Sequence, residues 1–261
     1  LQGKASTNVI PLSKKLRRWH VAATILLTLA LGIWWVVSKQ DKPQWVEVKT
    51  GGKEKREVVL PDSSHVWLNE NSALVFDRRF TKRQVTLDGE AYFDVQRLEE
   101  SPFEILSGDA TTTVLGTAFN VRAYPAEDFI EVTVEEGKVA LSANREKKSP
   151  VILTAGMSGI FNKKEKNAEA AAEKIVNADA WKTGELRFDE TPVKEIIQSL
   201  ERYFGIDIDV TDPLILNCQY TVGFGQPQLP QALEVIAAGL SLHLERSGDR
   251  YLLSGEGCQN Q

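Results

Sequence analysis

The chain has 261 residues and a net charge of −5, with 42% apolar residues and only two cysteines, enough for one large domain or two of ordinary size. The charge is unevenly placed: residues 1–38 hold Lys4, Lys14, Lys15, Arg17 and Arg18 and no acid, which leaves −10 on the remainder. An acidic body lacks the basic surface that a phosphate backbone requires, and this argues against nucleic-acid binding.

The first predicted element is a transmembrane helix over 19–37. From Trp19 to Val37 the only polar side chains are His20, Thr24 and Thr28, and helical threonines can bond back to their own backbone. At about 1.5 Å per residue the run reaches about 28 Å, close to the hydrocarbon thickness of a bilayer. Trp19, Trp34 and Trp35 fall at the two headgroup levels, and the basic cluster places residues 1–18 in the cytoplasm. Two other readings stand beside it. A buried core helix would need a polar stripe if it lay at a surface. A cleaved signal peptide would end near Val36-Val37-Ser38, and it exports the same body. The chain starts at Leu1 and not at Met, so the expectation is a fragment whose N-terminal cytoplasmic part is removed.

From Trp45 to Phe161 short apolar or alternating runs are separated by turn residues, an all-β pattern. Glu57–Leu60, Pro61-Asp62-Ser63-Ser64 and His65–Leu68 have the form of a hairpin, because proline presets the turn and the polar oxygens cap it. Asp88-Gly89 reads as similar punctuation. Strands are expected at 91–95, 103–106, 111–115, 118–124, 129–134, 138–141 and 151–154, with Glu135-Glu136-Gly137-Lys138 as a hairpin tip. Their spacing predicts a sandwich, barrel or solenoid-like stack over 45–161. The alanine-rich, charged stretch 162–180 reads as a linker or a short solvated helix.

Over 181–255 the period changes to that of a small βαββαβ domain, followed by a tail, 256–261. Val193, Ile196, Ile197, Leu200 and Phe204 recur at three and four residues, Gly205 closes that helix, and 206–210 alternates as a strand. The pattern returns 36 residues later: Phe188 with Phe224, Val193 with Leu229, Ile196 and Ile197 with Ala232 and Leu233, Leu200 with Ile236. Two amphipathic helices are therefore expected on one face of a small sheet, with a last strand at 251–253. The fold class is mainly β with a C-terminal α+β domain.

Chemistry is harder to find. His20, His65 and His243 lie apart, and no nucleophile elbow, zinc-binding helix or phosphate-cradling loop is present. Carboxylate pairs are better read as turns and loops (Glu99-Glu100, Glu135-Glu136) than as a hydrolase dyad. Trp67, Phe76, Tyr92, Phe93, Phe119 and Tyr124 could line a glycan or cell-wall groove, yet alternating aromatics also build sheet cores. Tyr92 and Phe93 must face opposite sides of their strand. Cys218 and Cys258 are too few for a cysteine zinc site; they pair, or they remain two free thiols. No cofactor, metal or catalytic residue is assigned.

Read in order, LPDSSHVWLNENSALVF, VTLDGEAYFDV, SPFEI, VLGTAFNVRAY, VTVEEGKVAL, LTAGM and WKTGELRFDETPVKEIIQSLERYFGIDIDV resemble the FecR family of transmembrane anti-sigma-factor regulators over residues 45–255. The C-terminal part is similar to the Bacteroidota type, with a domain like the short one at the N-terminus of secretins and TonB-dependent receptors. The resemblance implies an inner-membrane protein with a cytoplasmic N-terminus and a periplasmic bulk. It also implies three sets of partners: the signalling domain of a TonB-dependent outer-membrane receptor, an extracytoplasmic-function sigma factor held by a cytoplasmic domain expected to be absent from this chain, and periplasmic and intramembrane proteases. A strand with an open edge could receive the receptor, and Gln219–Phe224, with Tyr220, Val222 and Phe224 on one face, is the candidate. The alternative is an internal strand paired on both sides. Within the span Gly32 favours helix least and marks the region where an intramembrane protease would cut.

Overall fold

The computed structural model describes residues 25–32, 34, 43–144, 149–172, 175–248, 250–256 and 258. Two compact units, Leu1–Pro43 and Gln44–Gln261, divide the chain. In the first, residues 25–32 and 34 are helical and exposed, and Thr28 Oγ1 donates to the Ile25 carbonyl at 2.9 Å. Among the described residues no helix is long and apolar enough to cross a membrane. The basic segment 1–18 and the rest of the expected span, with Trp19, His20, Trp35 and Val37, lie outside the described residues.

The second unit begins with thirteen strands in one continuous sheet. They are β1 (Trp45–Lys49), β2 (Arg56–Val59), β3 (His65–Leu68), β4 (Ala73–Asp77), β5 (Gln84–Asp94), β6 (Phe103–Ser107), β7 (Ala110–Val114), β8 (Ala118–Ala123), β9 (Phe129–Glu136), β10 (Lys138–Ala143), β11 (Val151–Thr154), β12 (Ser158–Asn162) and β13 (Asn167–Ala170). The sheet turns back on itself as a sandwich. One layer runs β1-β4-β5-β6-β7-β10-β11 and the other β2-β3-β5-β8-β9-β12-β13. Only β5 belongs to both. Alternate residues of each strand enter a single core that includes Leu68, Leu74, Leu87, Phe93, Phe103, Ile105, Phe119, Ile130, Leu141, Leu153 and Phe161.

The structure corrects two turn expectations. Asp88-Gly89 does not end a strand: β5 continues through it and bends from one layer into the other. Gly89 makes the bend possible, with φ +105° and a backbone so close to Ser72 that a Cβ would lie 2.4 Å from its Oγ, a conformation and approach open only to glycine. Nor is Glu135-Glu136-Gly137-Lys138 a hairpin tip, since β9 pairs with β8 and β12 while β10 pairs with β7 and β11. Gly137, at φ +89°, is a corner between layers. The stretch 162–180 also differs, because its alanines at 168 and 170 lie in β13, paired to β12, where the backbone bonds of a sheet edge outweigh helix propensity.

Beyond a short helix, α1 (Ala180–Thr183), the chain forms β14 (Glu185–Pro192), α2 (Val193–Phe204), β15 (Ile208–Val210), a 3₁₀ turn (Pro213–Asn217), β16 (Gln219–Gly225), α3 (Leu229–Gly239), β17 (His243–Ser247) and β18 (Arg250–Ser254). The order is the expected one with its added last strand. Val193, Ile196, Ile197 and Leu200 of α2 share a second core with Ala232, Leu233, Ile236 and Ala237 of α3, separate from that of the sandwich. The helices do not cover one sheet, however. β14 and β16 form a two-stranded antiparallel sheet, and β15-β18-β17 forms another, with β15 parallel to β18.

Candidate functional site

Two surfaces stand out, and the first is the junction between the sandwich and the C-terminal region. Cross-strand register lines up Trp67, Tyr92, Asn120, Thr133 and Ser158 as one row on the outer face of the second layer. Residues 175–184 lie across that row as a strap. Ile175 N donates to Ser158 Oγ at 3.1 Å, and the buried Trp181 donates from Nε1 to Asn120 Oδ1 at 3.1 Å. The Lys182 ammonium sits 4.2 Å from the Trp67 ring centre and 3.9 Å from that of Tyr92, a cation–π arrangement. Lys55 Nζ donates to the Trp181 carbonyl.

Beside this row lies another, Glu90, Arg122 and Glu131. Glu90 is almost fully buried and accepts from Asn120 Nδ2 at 2.9 Å, Asn69 Nδ2 at 2.8 Å and an Arg122 guanidinium nitrogen at 3.2 Å. Burial pushes its carboxyl above the ordinary glutamate range, with Arg122 and the two amides opposing. Asn120 therefore joins a buried carboxyl to the strap's indole. Burial likewise raises the Asp179 carboxyl inside the strap. From the C-terminal side Arg202 of α2 reaches Glu131 at 2.9 Å.

A cleft of about 820 Å³ opens next to this junction, with Arg122, Glu127, Asp128, Glu131, Glu201 and Arg202 in its walls. Four of its carboxylates have named partners: Glu127 with Arg122, Glu131 with Arg202, Asp128 with Lys164, and Glu201 with the Ile208 amide.

The six aromatics singled out from the sequence are all accounted for. Phe76, Phe93 and Phe119 are core. Tyr92 faces the opposite side from Phe93, as alternation requires, and its hydroxyl donates to Glu135. Trp67 and Tyr92 are capped by Lys182, and Tyr124 lies under the Arg122 guanidinium at 4.9 Å. His65 accompanies Glu57 at 2.8 Å, whereas His243 begins β17.

The second surface is β16. It is paired through β14 alone, so its other edge is open among the described residues. Tyr220, Val222 and Phe224 are half-buried against the second core, while Gln219, Thr221, Gly223 and Gly225 are exposed. The strand carries no charge and no proline, the devices by which proteins usually blunt an edge. Cys218, immediately before it, is bonded to Cys258, which answers the pairing question left open by the sequence. Gly32 lies in the helical segment of the first unit, with no atom near its Cα position that a Cβ would meet.

Two folded regions are thus joined by a polar strap, and one of them presents an unprotected strand. Comparison with known proteins shows the family. The FecR protein family model matches residues 46–140 and the FecR C-terminal model matches 185–253. Together they span more than half of the chain, which belongs to the FecR family. Two crystal structures of a candidate anti-sigma factor from Parabacteroides distasonis are similar to it. One has a TM-score of 0.58 and 27% identity over 80% of this chain and 98% of its own. The other has a TM-score of 0.58 and 26% identity over 82% and 100%. No curated protein matches.

Proposed function

We propose that the protein is the sensing part of an anti-sigma-factor regulator of the inner membrane, relaying the state of a TonB-dependent outer-membrane receptor to an extracytoplasmic-function sigma factor. The observation that carries this reading is the pair of FecR-family regions, in family order, ending in the open edge of β16. The likeness to structures described as an anti-sigma factor supports the regulatory role. Two observations support a periplasmic body. Cys218 and Cys258 are disulfide-bonded, a state that persists in oxidising compartments, and the basic residues gather before the apolar run 19–37, as the positive-inside rule requires of a cytoplasmic N-terminus.

In this reading residues 45–161 are a scaffold, residues 181–255 the receiving domain, and 19–37 the span. The receptor's signalling domain adds a strand to β16, gaining affinity from main-chain bonds and specificity from side chains beside Tyr220, Val222 and Phe224. Cleavage outside the membrane and then near Gly32 passes the signal to the cytoplasm. There the sigma factor is held by a cytoplasmic domain distinct from both folded regions.

The test is a binding titration of the full chain against the signalling domains of the TonB-dependent receptors of its own cell. Gly223→Lys and Gly225→Lys place charges beside the open edge at positions where a Cβ meets at most one atom, 3.9 Å away. Binding by the wild type and at least tenfold weaker binding by these variants, at unchanged thermal stability, is expected. Absence of binding to every such domain would reject the proposal.

A further inference from the structure

We infer that residues 175–184 are a releasable clasp, so that the C-terminal region can leave the sandwich while both remain folded. This inference is independent of what binds β16.

It rests on how the two regions are joined. Each has an apolar core of its own, and among the described residues none belongs to both. Trp181 is the strap's one large buried side chain and is part of neither core. Polar and electrostatic contacts join the strap and α2 to the sandwich: Ile175 N to Ser158, Trp181 Nε1 to Asn120, Lys55 to the Trp181 carbonyl, Lys182 over Trp67 and Tyr92, and Arg202 with Glu131. Polar junctions between self-sufficient cores are where relative motion and sub-global opening are expected.

The strap is tied to the other side as well, where its Ala180 is part of the second core. Asn177 accepts from the Arg187 amide at 2.9 Å and donates to the Arg187 carbonyl at 3.1 Å. Ser199 of α2 donates to the Val176 carbonyl at 3.2 Å. When the junction opens, the strap therefore leaves with β14 and α2. What it uncovers is the row Trp67, Tyr92, Asn120 and Thr133, with each exposed polar group free to take water.

Hydrogen exchange on the full chain tests the clasp. The strap amide bonded across the junction is that of Ile175, which donates to Ser158 Oγ, whereas those of Ala180, Lys182, Thr183 and Gly184 are bonded within the strap, so the exchange of Ile175 reports opening. In the wild type it should exchange at least tenfold faster than amides of β8 and α2. Trp181→Phe keeps the ring and removes the donor to Asn120, and Lys182→Met keeps the stem and removes the cation. Each should speed Ile175 exchange about fivefold and leave β8 and α3 unchanged, the equivalent of about 1 kcal/mol per lost contact. An Ile175 amide that exchanges only with the sandwich core would overturn the inference. So would fast exchange indifferent to both substitutions, because the named contacts would then not be what holds the clasp.

Discussion

The two halves of β5 are the same strand in two environments. Before Gly89, Val85 and Leu87 point into the core while Thr86 is half-buried and Asp88 exposed; after it, Ala91 and Phe93 point inward, but Glu90 and Tyr92 are buried as well. The inner positions are alike. The outer face of the first half meets water, whereas that of the second half lies under the strap and α2. The difference shows where this sandwich is a scaffold and where it holds something.

The largest effects should be indifferent to the halves. Phe93, stacked on Phe119 at 5.4 Å, and Leu87 are both fully buried, so Phe93→Ala should cost about 3–5 kcal/mol and Leu87→Ala about 2–5 in chemical denaturation. A cost below about 1 kcal/mol at either would mean that the halves do not share one core.

On the outer face the halves should diverge. Tyr92→Phe removes the hydroxyl donated to Glu135 and should cost about 1 kcal/mol in the same assay. Thr86→Lys, on the open half, should stay within about 0.5 kcal/mol of the wild type.

Glu90 adds a dependence on pH. Its carboxyl is raised in the folded state, chiefly by burial, so the unfolded chain releases that proton first. The contribution is fully present below the ordinary value of about 4.5 and is lost as pH rises from there through the folded value. Denaturation curves taken upward from pH 4 should show this slope in the wild type, and Glu90→Gln should make it shallower, leaving the part that comes from the Asp179 carboxyl, which burial also raises. An identical slope in both would place the ionisation elsewhere.

How much of this was legible follows the same division. Alternation is readable wherever one face is wet, as at 84–88, and the helical period of Val193, Ile196, Ile197 and Leu200 is readable because α2 has a solvent side. The run at 90–93 hides its division of labour, since both faces are buried. Trp181 gave no signal either, because Asn120, its partner, is 61 residues away. The disulfide was visible as a possibility, but pairing depends on the 3₁₀ turn and the β18 end meeting in space. For the same reason the sequence predicts one C-terminal sheet where there are two: the alternation of Ile208 and Val210 does not say that they pair with β18 and not with β16.

The most direct test of the open edge is hydrogen exchange of the full chain with and without a cognate receptor signalling domain. Slowed exchange confined to residues 219–225 and their immediate neighbours is predicted, with the amides of β6 and β7 unaffected. Protection that falls on the sandwich and leaves β16 unchanged would contradict the assignment of β16 as the receiving strand.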